Sequence, residues 1–280
     1  MTTVRLLRNS LVALLLLVAF NTQAQGDLLI TPKRLVFDGT KRAEEINLAN
    51  IGKDTATYNI SFVQFKMDEK GIFIPITDED TTQKFAHKNL RFFPRTVTLA
   101  PNEAQSVKVQ LIKLNELAAG EYRSHLFFKN VLNNTALGEE QKTTAKDSGI
   151  SVNLKPVFGI SIATIIRVGP TNVAASISNQ IFTAGTATTE PYISFTLNRT
   201  GNISLYGDVK VLYFDPNTDS KSTQVALMKG LAVYTPNALR QVQLSLKNIP
   251  GIDFTKGRLL VEYTDPSAKN ALICHAQIVF

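Results

Sequence analysis

The sequence has a single cysteine, Cys274, and no tryptophan. One thiol cannot close an internal disulfide, so the core must hold by packing alone. Cys274 itself reads as a small apolar residue of the last strand. Histidine is scarce too. His87, His125 and His275 have no Cys, Asp or Glu neighbours at metal-ligand spacing, which leaves a zinc site nothing to build on. No G-x-S-x-G elbow, S-x-x-K, P-loop or G-x-G-x-x-G occurs. The acidic cluster "TDEDTT" around Asp78 lacks the Gly and the distal Glu of a calcium loop and reads as a solvated turn. Neither catalysis nor a small-molecule cofactor is expected. Lys and Arg are not gathered into blocks, and the formal charge of +7 is modest, so a nucleic-acid partner is not expected either. Long helical periodicity is also missing; only "KLNELAAG" has the look of a short helical turn.

The first 24 residues carry Arg5 and Arg8, the apolar run "LVALLLLVAF" and small residues near Ala24. A charged start, a short apolar middle and an Ala-ended exit describe a secretory signal peptide. The run is too short to span a hydrocarbon core, which needs roughly 20 residues. Cleavage after Ala24 would remove two arginines and no acid. Export is the expectation.

Almost every later segment alternates or clusters β-forming residues. "LLITPKRLVFDG" is β-rich and interrupted by Pro32. "TATYNISFVQFKM" switches parity between Phe62 and Val63, which predicts a bulge or bend. "RTVTLAPNEAQSVKVQL" places two strands around the turn "APNE". In "GEYRS", Tyr122 stands two residues before Ser124, the spacing of a tyrosine corner. Short strands with turn signals every 8–12 residues mean an antiparallel sandwich. The pattern restarts after "IIRVGPTN" with "EPYISFTLNRTGN", "SLYGDVKVLYFDPNTDS", "KGLAVYTPNALRQVQLSL", "KGRLLVEYTDPS" and "ALICHAQIVF". The expected fold is all-β: two tandem immunoglobulin-like β-sandwiches, over residues 25–168 and 169–280, behind a signal peptide at 1–24.

In "GISVNLKPVFGISI" the apolar residues Ile150, Val152, Leu154, Phe158, Ile160 and Ile162 share one parity. A strand with a dry face thus follows the polar segment "LNNTALGEEQKTTAKDS" and carries Lys155 on its other face. The first and last strands of an immunoglobulin-like unit lie close, so Arg34 and Lys155 are candidates to share one carboxylate by charge-assisted hydrogen bonds. The same two residues also fit ordinary solvated cations. Ile150, Val152 and Leu154 fit either this protein's own core or a partner's.

At these residues the chain resembles the periplasmic pilus-assembly chaperones. The matching segments are "RLVFDG" with "INLAN", "RFFPRTVTLAPNEAQSVKV", "GEYRSHLFF" and "ISVNLKPVFGISI", and more loosely "LYGDVKVLY" and "KGLAVYTP". The resemblance implies two immunoglobulin-like domains in a boomerang arrangement, in a periplasmic protein. It implies pilus or fimbrial subunits as partners, with an outer-membrane usher as a possible further one. Arg34 and Lys155 would grip a subunit's C-terminal carboxylate. Ile150, Val152 and Leu154 would be donated to the subunit's unfinished sandwich by β-strand addition. One departure from the family pattern is that residues 139 to 148, ahead of this strand, are polar. The alternative is an exported structural or adhesive immunoglobulin-like module of a surface assembly, pairing with copies of itself through the same edge.

Overall fold

A computed structural model describes residues 28–77, 80–131, 158–186, 188–216 and 222–280. The expected signal peptide, Asp78, the candidate donor residues Ile150, Val152 and Leu154, and the candidate anchor Lys155 lie outside the described residues.

The chain opens with β1 (Leu28–Thr31), β2 (Arg34–Phe37), β3 (Ala43–Asn50), β4 (Ala56–Val63), β5 (Phe65–Met67) and β6 (Phe73–Pro75). There follow β7 (Leu90–Phe93), β8 (Thr96–Leu99), β9 (Ala104–Leu111), β10 (Gly120–Val131) and β11 (Gly159–Val168). One sheet has the order β1-β3-β9-β7 and the facing sheet the order β2-β11-β10-β4-β8. This is an immunoglobulin-like distribution in which two strands are each divided between the sheets. Pro32 separates β1 from β2 and Pro94 separates β7 from β8. A proline cannot donate to a ladder, so each is a natural place for a strand to leave one sheet and join the other.

Between the sheets lie Phe37, Ile46, Leu48, Leu99, Leu126, Phe128 and Ile166, all fully buried. Each such side chain contributes roughly 1.5–3 kcal/mol relative to exposure. The Tyr122 hydroxyl donates to the Ala118 carbonyl at 3.0 Å, so the tyrosine corner forms. Ser124, fully buried, stands at the core position two residues on. Its Oγ accepts from the backbone amides of Ala86 and His87. The parity switch after Phe62 marks the end of β4: past Gln64 the chain leaves the sandwich as the hairpin β5–β6.

The second sandwich comprises β12 (Val173–Thr183), β13 (Tyr192–Gly201), β14 (Leu205–Phe214) and β15 (Ser222–Val233), then β16 (Leu239–Ser245), β17 (Arg258–Asp265) and β18 (Ala271–Val279). Its sheets have the orders β12-β13-β16 and β15-β14-β17-β18. Ile193, Leu197, Val209, Val211, Leu259, Val261 and Tyr263 fill the space between them. β12 is missing from the strand-rich segments read in the sequence. Val173, Ala175 and Ile177 alternate with Ala174, Ser176 and Ser178, but the register shifts between Ser178 and Ile181, with Asn179 at a positive φ, so the period breaks mid-strand. Cys274 lies on β18, half-buried against this core, and burial pushes its thiol up to about 11.

Candidate functional site

The two sandwiches meet over one outer face of the first. Pairing along the sheet puts Arg34, Ala163 and His125 in one row and Val36, Ile165 and Arg123 in the next, while Arg167 lies opposite Glu121 in a third. Directly paired residues share a face. Ala163, Ile165 and Met67 pack there against Ala232 and Tyr234 of the second sandwich, flanked by Val36 and Tyr206. β11 is therefore covered on both faces. Ile162, Ala163, Thr164, Ile165 and Ile166 are all buried in succession, which a strand with only one dry face cannot show.

Glu121 is the main polar tie across this junction. Its side chain is fully buried and accepts from Arg167 Nε at 3.1 Å, the Ser204 amide at 3.0 Å and Thr235 Oγ1 at 3.0 Å. Ser204 Oγ donates to it as well. The hairpin adds two more ties: Asn237 Nδ2 donates to the Met67 carbonyl at 2.6 Å, and the Gln241 amide to the Glu69 carbonyl at 2.6 Å.

Three cationic or titratable groups lie in the same junction. Arg123 donates to Gln83 Oε1 at 2.7 Å and to the Phe65 carbonyl at 3.3 Å, with its guanidinium 4.1 Å from the centre of the Tyr234 ring. Burial pulls it down to about 10. His125 is caged edge-on by Phe65 and Phe73, each at 5.3 Å, and by Tyr234. Neither ring nitrogen has a partner among the described residues, and burial, reinforced by Arg123, lowers its pKa to about 3.

Arg34, like Arg123, lies over a tyrosine of the second sandwich. Its guanidinium lies flat on Tyr206, 3.8 Å from the ring centre, and its buried Nη1 has no hydrogen-bond partner among the described residues. No described carboxylate stands within ion-pair distance. Burial lowers its pKa, and the nearby Arg167 adds to that. Arg123 Nε and Nη1 and Arg240 Nε are likewise buried without a hydrogen-bond partner among the described residues.

Arg34 also marks a break in the sheet. β2 pairs with β11 in parallel from Arg34↔Ala163 to Phe37↔Ile166, and no further. Gly159, Ile160, Ser161 and Ile162 pair with β10 on one side only. Their other edge is open among the described residues. Beside it Phe158 is 64 % exposed and Ile160 is 38 % exposed, on the parity that the sequence shares with Ile150, Val152 and Leu154. Of the five candidate site residues, the structure thus locates Arg34 alone.

The chain is similar to solved fimbrial chaperones. The YadV chaperone gives a TM-score of 0.42 at 8% identity, over 91% of this chain and 100% of that one. The Pseudomonas aeruginosa CupB2 chaperone gives 0.44 at 8%, over 90% and 100%. The Salmonella enterica SafA pilin in complex with the SafB chaperone gives 0.41 at 10%, over 91% and 97%. At these values the likeness is one of general strand arrangement. No family model and no curated protein matches the chain.

Glu121, Arg123 and Tyr234 were not singled out by sequence reasoning. The signal for the first two is "GEYRSH", where Glu121, Arg123 and His125 alternate with Tyr122, Ser124 and Leu126. That pattern reads as a wet strand face until a second sandwich is laid on it.

Proposed function

We propose that this protein is a periplasmic chaperone that holds pilus or fimbrial subunits by pairing its open β11 edge with a subunit strand, while Arg34 binds that strand's terminal carboxylate. The observation that carries the reading is the conjunction of the two: the unpaired edge at Gly159–Ile162 runs up to Arg34, and Arg34 is desolvated with an idle donor. An added strand lies opposite the residues that β2 does not reach. Running parallel to β11, as β2 does, it brings its C-terminal carboxylate to the guanidinium. Running antiparallel, it would bring an ammonium there, which the cation repels.

Ile150, Val152 and Leu154 are proposed as the residues donated to the subunit, continuing the parity of Phe158 and Ile160. A segment so extended sets Lys155 eight residues, about 26 Å, before Ala163, so Lys155 is proposed as a cation along the donated strand and not as a second one on the carboxylate at Arg34. Each donated apolar side chain buried in a partner contributes roughly 1.5–3 kcal/mol before ordering costs are deducted. The alternative, a structural module pairing with its own copies, uses the same edge but gives no role to a desolvated arginine without an anion.

The test is affinity capture of the tagged, exported protein beside its Arg34→Ala/Lys155→Ala variant, with circular dichroism to show that the variant is folded. Small β-rich exported subunits captured by the wild type and lost from the variant support the proposal. Capture of the protein's own copies alone, equally in both, sinks it.

A further inference from the structure

A second opening lies on the other side of the first sandwich. β7 is the last strand of its sheet and pairs only with β9. In the facing sheet the ladder between β4 and β8 ends at Asn59↔Thr96, with one more bond from the Ile60 amide to the Arg95 carbonyl at 2.8 Å. Backbone groups alternate sides along a strand, so Phe62, two residues past Ile60, turns its own amide and carbonyl toward the same uncovered side. Among the described residues, the sandwich is therefore unsealed where these two strand edges face each other.

A slot of about 360 Å³ occupies the gap. Phe62 and Phe92 meet edge-to-face at 5.2 Å as its apolar lining, His87 and Leu90 lie beside them, and Arg91 and Arg95 stand exposed at its rim. Arg95 leans over Phe92, 5.7 Å from the ring centre. Among the described residues, no carboxylate lines the slot. Phe93, next along β7, is 77 % exposed and faces away from Phe92.

We propose that this slot is a second docking site, separate from the β11 edge, for an extended acidic segment of a partner protein. Strand edges offer main-chain pairing to an extended chain. The two aromatic rings take its apolar side chains, and the two arginines select carboxylates on either side of them. An arginine pair with no acid in the lining sets the sign of the partner.

The probe is the peptide Glu-Val-Glu-Phe-Glu-Val-Glu, blocked at both ends so that it has no terminal carboxylate for Arg34. Its counterpart Lys-Val-Lys-Phe-Lys-Val-Lys serves as control. Backbone amide shifts of the isotopically labelled full chain are followed during titration. The acidic peptide is expected to move the amides of Phe62, Arg91 and Phe92, with saturation that weakens as salt is added. Arg91→Glu/Arg95→Glu should cost it about tenfold in affinity and let the lysine peptide bind instead. Both arginines are exposed, and Arg91→Gln/Arg95→Gln is the fallback should the charge reversal perturb folding. Equal binding of the two peptides overturns the proposal. So do shifts confined to the β11 edge, unchanged affinity in the arginine variants, or a slot already filled by a second copy of the chain. Because the probe lacks a terminal carboxylate, its failure at the slot leaves the terminal-carboxylate reading of Arg34 standing.

Discussion

The carboxylate of Glu121, in the first sandwich, accepts the backbone amide of Ser204, in the second, at 3.0 Å. The Ser204 hydroxyl, Thr235 and Arg167 converge on the same two oxygens. Glu121→Ala leaves these donors without an acceptor, and Arg167, only 17 % exposed at its side chain, without its counter-charge. Breaking a buried pair from one side costs about 3–5 kcal/mol. The expected result is a urea midpoint lowered accordingly, together with a wider spread of inter-sandwich distances in solution scattering.

His125 predicts a pH dependence with a definite sign. Its folded pKa of about 3 lies below the ordinary 6.5, so the unfolded chain binds the extra proton between those values and the folded chain does not. Stability from this group is complete above pH 6.5 and is lost as pH falls toward 3, by at most about 1.4 kcal/mol per pH unit. His125→Phe keeps a ring in the cage of Phe65, Phe73 and Tyr234. Its unfolding free energy between pH 4 and pH 7 should vary less than that of the wild type. Parallel curves for the two proteins would refute the assignment.

For Arg34 the decisive comparison is between two ligands. A peptide from a client's last strand should bind more tightly with a free C-terminus than with an amidated one. Losing one charge-assisted hydrogen bond of about 1.5–3 kcal/mol corresponds to roughly ten- to a hundredfold. Arg34→Ala should shrink that difference sharply, as measured by calorimetry.

Phe158 and Ile160 separate binding from folding. Both are exposed, so Phe158→Asp and Ile160→Asp should change stability by no more than about 0.5 kcal/mol. Client capture should fall sharply in either variant. Unchanged capture would move the docking strand elsewhere.

The strands were legible wherever one face is dry and the other wet. β8 and β9 around "APNE", the division at Pro32 and the corner at Tyr122 follow from turn chemistry and period alone. The junction was not legible, for a physical reason. Glu121, Arg123 and His125 alternate like a solvated face, and what buries them comes from Tyr206, Tyr234 and Thr235, far along the chain. β11 differs in the opposite way. Phe158, Ile160 and Ile162 alternate like a strand with one dry face, whereas Ile162 to Ile166 are buried on both faces once the second sandwich lies on them. β12 escaped because its alternation breaks after Ser178, where the register shifts.

The first β2 residue in the ladder is Arg34, and that fixes an origin along the open edge. A partner strand held there by its terminus is read by counting backward from its last residue. Odd and even places fall on opposite faces, because side chains alternate with a period of two. Inserting one residue just before such a terminus would present the wrong set of side chains along the whole strand. Inserting two would restore the set and shift it by one repeat. Clients with zero, one and two inserted residues should therefore bind well, poorly and well again. A graded loss with length is the outcome expected if the charge only attracts and does not set the register.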